Sequence, residues 1–341
     1  MTHGSPTADV LVVGGVFLGR WWAVEPAMPI AATGGHGSVC VSGVSDPEQV
    51  TGLGAGVARL LQALGMKTHL VCALGRDPEG ERARQVLEAD HVDCRPVFVA
   101  DKTGLRWAIR DASGTRLAVV ENGANLLLPP DTVLNVLEHF SGVVVASLDV
   151  AGRTVEALLN QVDPVRHRLY LVGGPAALRD YRLLGRARAV LLDLAILSRW
   201  YGRPVESRPA FVQALEVLDR LGAPTTYIGF SSRGAVIRPG NGGTAAAHWV
   251  AGFRPGAPPG PPDLSAFTAG VIAALEAEAA SPQTAARWGL ALTMLATGKP
   301  RTGTGGFYVT RERCRNLVAS LEDQAPASLE ALDAETSLWE D

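Results

Sequence analysis

The chain has 341 residues, 47% hydrophobic and 19% charged, with a formal net charge of −3. That composition supplies one large core, and without a basic cluster it carries no nucleic-acid footprint. No apolar run reaches the roughly 18–20 residues that span a bilayer, and the polar opening MTHGSPTAD does not read as a signal peptide. The expectation is therefore a cytoplasmic protein with neither membrane nor nucleic-acid partners.

The first element is DVLVVGG (Asp9–Gly15), a continuous β-branched run expected of a strand buried on both faces of a parallel sheet. Residues 16–50, including SVCVSGV at 38–44, read as a small β-excursion from that sheet. From Gly52 the pattern turns helical, with Val57, Leu60, Leu61 and Leu64 on one face and Gly65 as the stop. THLVCALG (Thr68–Gly75) is the next buried strand, followed by the helix of EGERARQVLEADHV. RPVFVA and TGLRWAIRDASGTRLAVVENG alternate with period two about Asp111–Gly114, as a hairpin with one wet face.

After Pro129–Pro130 the alternation resumes with a helix at 131–140, a strand at 142–147 and a helix at 153–162. RLYLVGG and AVLLDL are further strands, 209–221 is a helix closed by Gly222, and TTYIGF and GAVIRPG form a strand pair. Helices at 264–279 and 283–295, a Gly-rich loop and a helix near 311–321 complete the order, and residues 322–341 read as a loose acidic tail. This alternation specifies a mostly parallel sheet with helices on both faces. The four cysteines (Cys40, Cys72, Cys94, Cys314) lack C-x-x-C spacing and the seven histidines are dispersed. They predict incidental thiols in a reducing compartment and no metal site built from protein ligands alone.

Three stretches carry a family resemblance. GLGAGVARLLQALGMKTHLVCALGRDPEG (52–80) resembles the Gly-rich turn, helix, strand and G-x-D-x-x-G turn of the PfkB sugar kinases, with Gly75, Asp77 and Gly80 in that turn. KTGLRWAIRDASGTRLAVVENGAN resembles their lid hairpin. AFTAGVIAALEAE and LALTMLATGKPRTGTGG resemble the helix after the catalytic loop and the segment beside the adenine, where Gly298 falls. The opening VLVVGGVFLGRWW is also similar to the heptose-phosphate kinase branch. The resemblance implies a ribokinase-like three-layer α/β/α domain over 9–321, with a small β lid from about 16–50 and 97–122. It further implies ATP- and Mg2+-dependent phosphoryl transfer to a sugar or nucleoside hydroxyl, and a homodimer through the lid.

Several positions depart from the family pattern. The family's catalytic aspartate falls at Ser265, which has no useful basicity, and its loop glycines fall at Pro262 and Leu264. Asp263, between them, is a candidate base or the N-cap of the next helix. The sugar-binding aspartate falls at Gly19, the asparagine of the G-G-x-x-x-N turn at Gly56, and the magnesium-organising N-x-x-E at Ala195 and Ser198. Gly52, Gly54 and Gly56 mark the substrate turn. Gly229, Ser231 and Gly234 fit either the nucleotide-phosphate turn or an ordinary strand connection.

Arg20, Lys102 and Arg106 are lid cations suited to an anionic ligand or simply to solvent, and Trp21 and Trp22 suit sugar stacking, an interface or packing. RPGAPPGPP (254–262), with five prolines in nine residues, predicts a stiff loop where the family has a mobile one. Two readings stay open: a kinase with a divergent loop, and a pseudokinase that binds a sugar, nucleotide or partner. An unrelated Rossmann enzyme lacks its fingerprint, because VVGGVFLG is not G-x-G-x-x-G.

Overall fold

The computed structural model describes residues 9–23, 44–45, 48–111, 114–173, 178, 180–230, 233–240, 246–253, 264–296, 309–320 and 327–328. The apolar run at the start forms β1 (Val10–Val13), which is wholly buried. β2 (Phe17–Ala23), β3 (Val44–Ser45) and β4 (Gln49–Thr51) follow, then α1 (Leu53–Ala63). The predicted face of α1 (Val57, Leu60, Leu61, with Leu64 just beyond) is buried, and Gly65 ends it at φ +79°, a left-handed conformation that suits glycine. β5 (Thr68–Gly75), α2 (Pro78–Ala89), β6 (Asp93–Val99), β7 (Gly104–Asp111) and β8 (Gly114–Glu121) come next.

The second half runs α3 (Pro130–Glu138), β9 (Gly142–Ser147), α4 (Gly152–Gln161), β10 (His167–Val172) and β11 (Ala189–Asp193). It continues with α5 (Leu194–Tyr201), α6 (Arg208–Arg220), β12 (Thr225–Gly229), β13 (Gly234–Arg238) and β14 (His248–Ala251). α7 (Leu264–Ala277), α8 (Pro282–Ala296), α9 (Arg311–Ala319) and β15 (Ala327–Ser328) end the described chain.

Ten strands make one sheet in the order β15-β14-β13-β12-β11-β10-β9-β1-β5-β6. It is parallel from β12 to β6 and antiparallel beyond β12. The chain steps outward from β1 through β5 to β6, then restarts at β9 on the other side of β1. Right-handed crossovers in opposite directions place the connecting helices on opposite faces. α7 packs on α1 and α8, and α9 on α8, while α3 packs on α4 and α5 on α6. The result is a three-layer α/β/α body. Among the described residues, no helix is long and apolar enough to cross a membrane.

A second sheet, β3-β2-β7-β8 with β4 also on β2, stands apart from the first. β2 and β7 run parallel, and β7 and β8 form the hairpin expected about Asp111–Gly114. β6 pairs with β5 as an edge of the large sheet, so residues 93–99 belong to the body and the second sheet takes up the chain again at 104. The segment expected to be a loose tail supplies Ala327–Ser328, which pair with β14. α5 was not anticipated. Its residues follow AVLLDL directly, and Asp193 caps it by accepting from Ile196 N–H at 2.7 Å.

Candidate functional site

In an open parallel sheet, neighbouring strands whose connections leave in opposite directions open a crevice at their carboxyl ends. Here that point lies between β1 and β9. The loop after β1 begins Gly14–Gly15, and the loop after β9 carries Asp149. Gly15 N–H donates to Asp149 Oδ1 at 2.8 Å, Leu53 N–H to Oδ2 at 3.0 Å, and Ser147 Oγ–H to Oδ1 at 2.5 Å. Leu53 is the first residue of α1, so the carboxylate also meets the positive end of that helix. A side chain on Gly15 would strike this carboxylate, and one on Gly14 would stand 2.5 Å from Gly54 Cα. The glycines thus allow β1, β9 and the start of α1 to converge, and Gly52 at φ +111° turns the chain into that helix.

Sequence reasoning missed Asp149. A carboxylate two residues past the buried run GVVVAS was its available signal.

The G-x-D-x-x-G turn fastens the second sheet. Asp77 caps α2 by accepting from Gly80 N–H at 2.7 Å. It also accepts from Thr103 N–H at 2.7 Å and Thr103 Oγ1–H at 2.6 Å, and Thr103 Oγ1 accepts from Gly75 N–H at 2.9 Å. Burial raises the Asp77 carboxyl, but the Thr103 and Gly80 hydrogen bonds outweigh it and hold the group below its ordinary value. Thr103 immediately precedes β7. Asn125 fixes the neighbouring strand: it accepts from Val16 N–H at 2.9 Å and donates to Val16 C=O at 2.9 Å and Asn122 C=O at 3.0 Å.

The second sheet presents two unlike faces. Phe17, Gly19 and Trp21 of β2 share one with Gly104, Arg106 and Ala108 of β7, in register. This face turns toward the crevice: Phe17 is buried and its ring lies 3.0 Å from where a Cβ on Gly52 would stand. Gly19 lies against Trp21, whose ring occupies the space of any side chain at position 19. The opposite face carries Trp22, Trp107, Ile109, Leu117 and Val119 around a hollow of about 280 Å³.

α7 begins between the two halves of the site. Ser265 in its first turn is buried and packs on Gly56 of α1. Two residues on, Phe267 covers Gly229 at the end of β12, its ring 3.3 Å from a Cβ position there. Gly234 is backed by the Trp249 ring, and Phe230 stacks edge-on to Trp249 at 5.4 Å. Asp193 pairs with Gly229 across β11 and β12. Burial pushes its carboxyl up, against the Ile196 hydrogen bond and the Arg199 charge. Asp263, Ser231, Gly298 and the whole proline-rich stretch 254–262 lie outside the described residues.

The sequence profile of the pfkB family carbohydrate kinase matches residues 29–242. The chain belongs to this family. A search of curated proteins finds no match. Among solved structures, Arabidopsis thaliana ribokinase complexed with ribose and ATP is similar at 18% identity and TM-score 0.70, over 92% of this chain and 99% of that one. A ribokinase from Thermotoga maritima is 16% identical, TM-score 0.69, over 92% and 99%. A carbohydrate kinase from Agrobacterium tumefaciens is 17% identical, TM-score 0.69, over 92% and 97%. The fold is ribokinase-like.

Gly56 and Ser265, where the resemblance puts the family's asparagine and catalytic aspartate, are in direct contact here. Gly19, where the resemblance puts the sugar-binding aspartate, is overlaid by Trp21. Magnesium finds no carboxylate at the positions the resemblance indicates. Ala195 is exposed, and the Ser198 hydroxyl donates to Leu194 C=O at 2.9 Å and accepts from Val205 N–H at 3.1 Å. No group of three or more His, Cys, Asp or Glu suited to a metal ion occurs among the described residues.

Proposed function

We propose that this PfkB-family chain binds a sugar or nucleoside in the crevice between β1 and β9, beneath the second sheet, with ATP-dependent phosphoryl transfer lost or strongly reduced. The contact between Ser265 and Gly56 carries this reading. Transfer to a hydroxyl requires a positioned group that takes its proton. Ser265 stands where the resemblance puts that group. It is a poor base, and Gly56 leaves it no partner of the family type. The crevice retains its grip on backbone geometry through Asp149, Gly15 and Leu53.

The second reading keeps the kinase. Asp263 directly precedes the first residue of α7, and as the base it would restore transfer with ATP and Mg2+. Thermal melts with a panel of pentoses, hexoses and nucleosides, with and without Mg-ATP, test the binding. Product assays on wild type and Asp263→Asn test the chemistry. The proposal expects sugar-induced stabilisation, with turnover about 10²–10⁴-fold below that of an enzyme with a placed base and unchanged by Asp263→Asn. Efficient turnover abolished by Asp263→Asn would establish the second reading instead.

A homodimer through the exposed apolar face of the second sheet, and a reducing cytoplasmic setting in keeping with the free thiols of Cys72, Cys94 and Cys314, belong to the same proposal.

A further inference from the structure

Arg106 sits midway along β7, its Cα paired with Gly19 on one side and Val120 on the other. Its Nε is buried and has no hydrogen-bond partner among the described residues. A buried guanidinium nitrogen without an acceptor is unfavourable, since desolvation is not repaid. Along 17–21, 104–108 and 118–120 it is the one charged residue on the face turned toward the crevice. Two other charged groups near the crevice are already engaged. Arg20, on the opposite face, pairs with Glu48 and Glu79. The crevice carboxylate, Asp149, is occupied by three donors of its own.

Two further features frame the guanidinium. Position 19, its register partner, has no side chain, and the Trp21 ring lies over it instead. On the other side, Val120 is half exposed, so this face is open to solvent along the β8 edge. An indole plate beside an unpaired guanidinium suits a ligand with a C–H-rich ring face and a negative substituent.

We infer that the sugar bound at this site already carries an anionic group, a phosphate or a carboxylate, and that Arg106 is the residue that selects it. This rests on the proposed sugar site and names the class of its ligand. A neutral sugar would leave Nε without a charged acceptor. An anion supplies one, in the planar geometry a guanidinium recognises and an ammonium does not.

Calorimetric titration without nucleotide tests the inference, using neutral hexoses and pentoses, their monophosphates and the matching uronic acids at low and moderate salt. The wild type is expected to bind an anionic form at least about tenfold tighter than its neutral parent, with the gain shrinking as salt rises. Arg106→Met should bring that affinity down to the neutral value, and Arg106→Lys should recover only part of it. A gain confined to phosphates or to uronic acids identifies the anion.

Ligand-free Arg106→Met should melt at or above the wild-type temperature, because it removes a buried N–H that has no acceptor; this separates loss of binding from loss of fold. Neutral sugars that bind as tightly as anionic ones, or an Arg106→Met variant with wild-type affinity for the anionic sugar, would overturn the inference while leaving the sugar site standing. Absence of binding by either class would overturn both.

Discussion

Ser265 and Gly56 are packed so closely that a Cβ at position 56 would stand 2.5 Å from Ser265 Oγ and 2.7 Å from its Cβ. The two positions come from different helices, and the resemblance puts larger polar residues at both. Here both are small, and Ser265 occupies the room a side chain at position 56 would need.

Restoring one partner alone should therefore fail. Gly56→Asn is expected to destabilise the protein by about 1–3 kcal/mol through overpacking. Adding Ser265→Gly to the same chain should recover most of that loss. Denaturant melts of the two single variants and the double variant measure the coupling.

Asp77 gives the acid limb of stability one sign. Its carboxyl is held below the ordinary value in the folded state, so the stabilisation is complete above about pH 4, where the unfolded group is also ionised. It is lost as pH falls through the lower folded value. Asp77→Asn should be less stable than wild type at pH 7, with the gap narrowing toward pH 3. A gap that stays constant across that range would show that the charge plays no part.

Asp193 has the opposite sign. Burial raises its folded value above the unfolded one, so stability falls as pH rises through that interval and the penalty is full at neutral pH. Asparagine caps a helix about as well as aspartate and carries no charge. Asp193→Asn should thus be more stable than wild type at pH 7 and no more stable near pH 3, read from melts at the two pH values.

Leu117 and Val119 are each about half exposed beside the apolar hollow of the second sheet. β8 is also an edge strand there, and an exposed apolar edge is a pairing surface. If two copies meet through this face, Leu117→Glu with Val119→Glu should convert a dimer to a monomer in sedimentation. The melt of the isolated chain should change little.

The body of the fold was legible because its signals are local. DVLVVGG, THLVCALG and GVVVAS are continuous apolar runs, and the amphipathic stripe of α1 with its Gly65 stop needs no partner to be recognised. β6 was harder to place, because RPVFVA alternates like a surface hairpin while pairing at the edge of the large sheet. A lone edge strand and a lid strand look alike in sequence. The site was legible only in its family-matched positions. Asp149 and Asn125 act through backbone groups more than 95 residues away, and no spacing rule connects them. The Trp21 ring over Gly19 was equally hidden, since the two tryptophans at 21 and 22 differ only in which face each takes.

The fastening of the second sheet has a mechanical consequence. Asn125 roots the start of β2 and the exit of β8, and Asp77 roots the entrance of β7, all at the same end of the sheet. Arg20 adds a further tie partway along β2 by pairing with Glu79 of α2, so the sheet is held to the body at one end and again at mid-strand. Arg106 and Trp21 stand on strands paired residue by residue, Gly19 opposite Arg106 and Trp21 opposite Ala108, so the ladder fixes their spacing. The pair would then reach a bound molecule together or not at all.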